Sequence, residues 1–101
     1  METPYTYLIV RKDITVPQQI VQSAHASLDA GYAFGKHSHL VCCGVESENS
    51  LTSVAQYLDT NNILYKMFYE PDNKLGYTAI CTEPLRGDNR NPMRKFRLLV
   101  S

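Results

Sequence analysis

Residues 5–10 read YTYLIV, a run of aromatic and β-branched side chains with almost no polar interruption. A strand with one face in water would alternate apolar and polar residues, and this run does not. It therefore predicts a strand that is buried on both faces, as inside a parallel or mixed sheet. Such a strand needs cover on both sides of its sheet, and the charged residues 11–13 end it before the first covering element begins.

The chain that follows this strand carries the signals of a helix start. Gln18 lies three residues after Thr15, the spacing of a capping box, and Pro17 suits the first helical turn. Gly31 is predicted to end the helix. Three- and four-residue steps give an apolar stripe that is predicted to face the sheet, formed by Ile20, Val21, Ala24 and Leu28. A polar stripe follows one narrow edge beside it, formed by Gln18, Gln22, His25 and Asp29.

The rest of the chain supplies further strands and one more helix. Residues 39–45 (HLVCCGV) predict a second buried strand, and residues 47–50 offer caps for the next helix. The inner face of that helix consists of Leu51, Val54, Ala55 and Leu58. Residues 63–69 predict a less buried strand, paired antiparallel with a last strand at 76–82. We therefore predict one α/β domain over residues 1–101, with a three-layer, four-stranded mixed sheet, helices packed on it, the order β-α-β-α-β-β and a short C-terminal tail.

Charge is balanced in total but segregated along the chain. Ten lysines and arginines offset ten acidic residues, and the tail from residue 86 carries five basic side chains against Asp88 alone. This pattern favours either a basic patch that binds phosphates or a solvated basic tail. No apolar run approaches the ~20 residues of a membrane span, and the N-terminus lacks the pattern of a signal peptide. We expect a cytoplasmic protein that does not contact a membrane.

The three cysteines do not indicate a disulfide or a metal site. Cys42 and Cys43 are adjacent in a predicted strand, so their side chains point to opposite faces, and Cys81 lies in another strand. Buried apolar thiols are the expectation. No glycine-rich phosphate loop follows the first strand, which argues against a nucleotide cofactor, and no cofactor is predicted.

Short motifs occur in a fixed order along the chain: LIVRKDI at 8–14, QSAHA at 22–26, Glu70, Thr78 and RKFRL at 94–98. In this order they resemble the type 2 peptidyl-tRNA hydrolase family, over essentially the whole chain. The first two are similar to the family's first strand with its Arg-x-Asp exit and to its helical Gln-x-x-His-Ala motif. Glu70 and Thr78 stand where the family has an acidic residue after its third strand and a threonine in its fourth. The last resembles the short single-domain branch of peptidyl-tRNA hydrolase domain-containing proteins.

The resemblance implies hydrolysis of the ester that joins a peptide to the ribose of tRNA, without a metal. Such a reaction needs an activated water, a proton donor for the leaving oxygen and donors for the developing oxyanion. His25 is expected to act as base or to orient the water, and Glu70 to hold or deprotonate it. Gln18 and Gln22 can hold the water or a carbonyl oxygen, and Thr78 can donate to a substrate oxygen. The structural alternatives are a hydrogen-bonding helix histidine, solvated side chains and a strand-filling threonine.

Two departures from the family pattern bear on activity. The family has a lysine four residues before the motif glutamine, and this chain has Gln18 there. Residues 70–74 read EPDNK in place of the family's Asp-Ala-Gly-x-Thr stretch. Because a charged donor forms stronger hydrogen bonds than a neutral amide, we expect slow turnover that a Gln18→Lys substitution raises at little cost in stability.

Binding of tRNA or peptidyl-tRNA is predicted from basic residues. Arg11 and Lys12 leave the first strand at its carboxyl end, where α/β sheets commonly present ligands. Arg86, Arg90 and Arg94 are expected to extend that phosphate-binding track. An alternative function is a catalytically inactive tRNA- or nucleotide-binding module with the same fold. A third hypothesis is an interaction protein that forms a homodimer through a sheet edge or an apolar loop.

Overall fold

The sheet is built around the strand that residues 5–11 form in the computed structural model, which describes residues 2–35 and 37–99. The elements follow in the order β1 (Tyr5–Arg11), α1 (Val16–Phe34), β2 (His39–Val45), α2 (Glu48–Thr60), β3 (Tyr65–Glu70), a 3-10 turn (Asp72–Lys74), β4 (Gly76–Thr82) and a 3-10 segment (Gly87–Lys95). This order agrees with the predicted α/β arrangement.

The four strands lie in the order β2-β1-β4-β3. β1 pairs parallel with β2 and antiparallel with β4, and β3 pairs antiparallel with β4. β1 is therefore an internal strand of a mixed sheet, as its unbroken apolar sequence predicts. Ile9 and Val10 point to opposite faces and both are fully buried.

Two apolar cores lie on the two sides of this sheet, one under each helix. The core under α2 includes the four inward residues predicted for that helix, all of which are buried. The core under α1 consists of Leu8, Val10, Ala26, Ala30, Ala79 and Cys81. The domain therefore has three layers, with the sheet between its helices.

Helix α1 faces the sheet with a different stripe from the one predicted. Its buried residues are Gln22, Ala26 and Ala30, whereas the large aliphatic side chains expected to face inward are exposed. Small side chains allow the helix to lie close to the bulky residues of β1, and a buried hydrogen bond satisfies the glutamine. The stripe prediction was wrong because it assumed that the largest apolar residues of a helix face the core.

The helix also extends one turn beyond the predicted end. Gly31 lies inside α1, and the end comes at Gly35, which adopts a left-handed conformation with φ 61°. Its N–H donates to the carbonyl of Gly31, as is common where a glycine follows the last helical turn. The described part of the chain contains no helix with the length and apolarity that crossing a membrane requires.

β2 lies at an edge of the sheet, although its apolar sequence predicted a buried strand. Only Cys43 in it is buried. The C-terminal segment pairs with its outer side, where Gly44 N–H donates to the Arg97 carbonyl and Leu99 N–H donates to the Cys42 carbonyl. The predicted C-terminal tail thus covers part of this edge and allows an apolar strand to stand there.

Candidate functional site

A cleft of about 430 Å³ opens between the first half of α1 and the turn that joins β3 to β4. Four of the residues singled out in the sequence line it: Gln18, Gln22, His25 and Glu70. The first three come together because positions 18, 22 and 25 of a helix share one side. Glu70 joins them because β3 ends beside α1.

Gln22 is the most constrained side chain of this cleft. It is only 5% exposed, and its Oε1 accepts a hydrogen bond of 2.7 Å from the hydroxyl of Thr78 on β4. The bond fixes the amide in one orientation, with its N–H donors on the side away from Thr78. Since Gln22 also lines the cleft, those donors are available to a bound oxygen.

Thr78 does not line the cleft. It is fully buried, and its hydroxyl proton is engaged by Gln22, so it cannot donate to a substrate oxygen as predicted. It lies on the α1 side of the sheet, and its hydrogen bond to Gln22 connects it with the cleft. Its position makes it a residue that orients Gln22.

His25 is exposed at the rim of the cleft and lies against an aromatic ring. Its imidazole stacks on Phe68 of β3, with ring centroids 4.7 Å apart and planes 3° from parallel. This stacking limits the ring to one plane while leaving its edge nitrogens accessible. Within the described residues, no protein group forms a hydrogen bond with the side chain of either His25 or Glu70, so both are free to bind water or a ligand.

The turn that follows Glu70 is held by Arg11. The guanidinium of Arg11 donates to the carbonyls of Leu75 and Tyr77, the latter at 3.1 Å, and also forms two bonds with the carboxylate of Asp13 at 2.8 and 2.9 Å. Its hydrogen bond to Asp13 lowers the pKa of that carboxyl below its ordinary value.

Arg11 was predicted to bind phosphate, but in the structure its N–H groups donate to oxygens of the protein itself. Its side chain is only 12% exposed, and most of its N–H groups bind protein oxygens. Glu48 of α2 also holds this turn, since its carboxylate accepts from the N–H of Tyr77 at 2.9 Å. Arg11 therefore braces one wall of the cleft.

Gln18 takes part in the capping box that its spacing predicted. Its Oε1 accepts from the Thr15 N–H at 2.9 Å, and the Thr15 hydroxyl accepts from the Gln18 N–H at 3.2 Å. The side-chain oxygen of Gln18 thus holds the start of α1 even though the residue lines the cleft. The expectation that a lysine at this position would cost little stability omitted this hydrogen bond.

The predicted phosphate-binding residues do not form one track. Lys12 lies at the carboxyl end of β1, where its ammonium is 3.4 Å from Glu46. Arg90 lies over the ring of Tyr5 at 3.7 Å and donates to the hydroxyl of Tyr7, at the other end of the same strand. Tyr5 and Arg11 are six residue steps apart along the strand, which is about 20 Å. Arg86 follows Leu85, which pairs with Tyr5, so Arg86 and Arg90 lie at the end of the sheet away from the cleft. Arg94 lies in the 3-10 segment between Arg90 and Arg97, and the carbonyl of Arg97 accepts from the Gly44 N–H near the other end of β2.

Sequence reasoning missed part of the cleft. Asp72 and Asn73 line it from the 3-10 turn, which places a second carboxylate beside Glu70. In the sequence, residues 70–74 stood out only as a departure from the family's Asp-Ala-Gly-x-Thr stretch. Asn73 adopts a left-handed conformation with φ 57°, which asparagine tolerates better than most residues, and this was the available signal for a sharp bend. Phe68 was assigned to a strand, without its contact to His25.

The fold and the cleft together define a small three-layer α/β domain with an amide, an imidazole and a carboxylate around one opening. Comparison of the sequence with known protein families and with curated proteins finds no match. Among solved structures, the chain is similar to a protein of unknown function, Atu0240 from Agrobacterium tumefaciens strain C58. The TM-score is 0.73 at 10% identity, covering 99% of this chain and 100% of that one. This similarity establishes the α/β fold.

Proposed function

We propose that the protein hydrolyses the ester bond of peptidyl-tRNA or of a related aminoacyl ester at this cleft. The observation that carries the proposal is the convergence of Gln22, His25 and Glu70 on one opening, with the amide of Gln22 oriented from below by Thr78. An imidazole can act as general base and acid, a carboxylate can hold the water, and an amide can donate to the oxyanion, which together supply the roles that ester hydrolysis without a metal needs.

In the proposed reaction His25 removes a proton from a water molecule that Glu70 holds. The water oxygen adds to the ester carbonyl carbon, and the N–H donors of Gln22 stabilise the negative charge that develops on the carbonyl oxygen. When the carbon–oxygen bond to the ribose breaks, the imidazolium of His25 returns its proton to the leaving oxygen. The products are a free peptide and a tRNA with a ribose hydroxyl.

A second candidate is a catalytically inactive module that binds tRNA or a nucleotide with the same cleft. The position of Gln18 favours it, because this side chain is neutral and its oxygen is bonded to the start of α1. No cation replaces the family's lysine at this position. A ligand could then occupy the cleft without the charge stabilisation that fast hydrolysis needs.

Release of peptide from a labelled peptidyl-tRNA by the purified protein tests the proposal. We expect slow hydrolysis that a His25→Ala substitution lowers by about 100-fold, the lower range for loss of general acid–base catalysis. His37→Ala is the matched control, because His37 is also exposed and lies in a different pocket from the cleft. Hydrolysis that is equal in both variants would refute a role for His25, and tRNA binding without hydrolysis would select the binding module.

A further inference from the structure

Helix α1 presents an apolar surface to solvent along its whole length. The fraction exposed is 65% for Ile20, 72% for Leu28 and 95% for Tyr32. Val16 and Val21 are also at least half exposed. A helix that covers a sheet usually directs charged and polar residues outward, and this one has its large aliphatic residues there.

The exposed apolar residues of α1 carry no charge, and Lys12, which lines the groove beside Val16 and Ile20, is 3.4 Å from the carboxylate of Glu46. The only residue of α1 with a full charge is Asp29, which lies on the polar edge with His25, and the helix contains no lysine or arginine. Helices that lie on membrane surfaces have basic residues flanking their apolar face, so this composition argues against a lipid surface. The exposed residues of α1 also lack the charged side chains that would attract a partner protein of opposite charge.

The exposed residues follow one ridge with an approximate two-fold pattern. Val16, Ile20, Ala24, Leu28 and Tyr32 are spaced four residues apart, and the small Ala24 stands at the centre of the ridge. If two such ridges align antiparallel at Ala24, Ile20 lies opposite Leu28 and Val16 opposite Tyr32, and each contact occurs twice. This is the self-complementarity that a two-fold interface requires.

We infer that α1 is the interface of a homodimer, in which it packs antiparallel on α1 of a second copy and crosses it at Ala24. The four-residue ridges predict a crossing angle of about −50°, and the alanine at the crossing allows the close approach of such helix pairs. An apolar groove of about 600 Å³ lies beside Val16 and Ile20. It gives room to the ring of Tyr32 from the second copy.

The size of this surface fits a second copy of the chain. Its exposed side chains present roughly 700 Å², more than the largest apolar patch of a typical monomer and close to the ~800 Å² per partner of a standard interface. The formal net charge of the chain is zero, so two copies approach without net repulsion.

Analytical ultracentrifugation of single and mixed variants tests the dimer and its register. The native protein should sediment at twice the mass of the chain. Ile20→Lys alone and Leu28→Glu alone should each sediment as monomers, because each places two charges in the interface. Mixing the two variants should restore a heterodimer, since the cation introduced by Ile20→Lys in one chain then faces the anion introduced by Leu28→Glu in the other.

Gln56→Lys on the exposed side of α2 is the matched control and should remain dimeric. Circular dichroism and thermal unfolding should show that the Ile20 and Leu28 variants stay folded, because both positions are mostly exposed. A monomeric native protein, or single variants that remain dimeric, would overturn the inference. Failure of the mixture to associate would overturn the antiparallel register, and binding of the native protein to phospholipid vesicles would replace the second copy with a lipid surface.

Discussion

At the scale of single residues, the hydrogen bond between Thr78 and Gln22 connects stability with the cleft. Both side chains are buried, and their polar atoms satisfy each other. Thr78→Val keeps the shape of the side chain but leaves Gln22 Oε1 without a donor. We expect a loss of about 1–3 kcal/mol in the free energy of unfolding, the cost of an unsatisfied buried polar group, measured by urea denaturation.

Two further variants separate the hydrogen bond from packing. Thr78→Ser keeps the hydroxyl and should keep Gln22 in its orientation. Its free energy of unfolding should fall only because of the missing methyl group. Gln22→Met combined with Thr78→Val removes both partners and should recover most of the stability lost in Thr78→Val, because no polar atom is then left unpaired. Equal stability of Thr78→Val and the native protein would show that this bond contributes nothing.

Residue positions that depend on one helix could be predicted, and those that depend on tertiary contacts could not. Gln18, Gln22 and His25 share a helix edge by periodicity alone, and the structure places them in one cleft. The partner of Gln22 is 56 residues away in the sequence, so no local pattern indicates that Thr78 is buried beneath it. Arg11 likewise reaches backbone carbonyls more than 60 residues distant, which no charge pattern indicates.

At the scale of elements, the first turn of α1 combines a helix cap with a wall of the cleft. Gln18→Lys removes the oxygen that accepts from the Thr15 N–H and places a cation near the positive end of the helix dipole. We expect it to lower the free energy of unfolding by up to about 1 kcal/mol, as for the loss of a cap. Gln18→Glu keeps the acceptor and favours the dipole, so it should match or exceed the native stability.

Gln18→Lys and Gln18→Glu also place opposite charges at the same position of the cleft, so their effects on activity can be compared. If Gln18→Lys raised the rate of peptidyl-tRNA hydrolysis while lowering stability, position 18 would act on the substrate as the family resemblance implies. Thermal unfolding and the hydrolysis assay on the same preparations measure both effects. A lysine variant more stable than the glutamate variant would contradict the capping role of this side chain.

Element order and the antiparallel pairing of the last two strands could be read from the sequence, whereas the order of the strands in the sheet and the orientation of the elements could not. The two predicted helices and four strands occur in the predicted order because each carries its own periodicity and turn residues. The orientation of α1 was predicted wrongly because its sheet-facing side is made of small residues and a satisfied glutamine. β2 was predicted to be buried because the sequence does not show that the residues near Leu99 cover its edge.

At the scale of the whole molecule, basic side chains are divided between the two ends of the sheet. Lys12 lies at the end where β1 delivers the chain to α1, and the cleft opens at that end. Arg86 lies at the other end, directly after Leu85, which pairs with Tyr5. Because the net charge is zero, this division decides where an acidic polymer binds.

This division predicts which end of the molecule contacts tRNA. If the cleft receives the acceptor end, Lys12→Ala should weaken tRNA binding and reduce the slope of log affinity against log salt by about 0.7–0.9, the value for one phosphate contact. Arg86→Ala removes one positive charge from the far end and should leave both affinity and slope unchanged. Fluorescence anisotropy of labelled tRNA over a series of salt concentrations measures these quantities. The opposite pattern, with a reduced slope for Arg86→Ala only, would place the phosphate contacts at the far end of the sheet and contradict binding of tRNA at the cleft end.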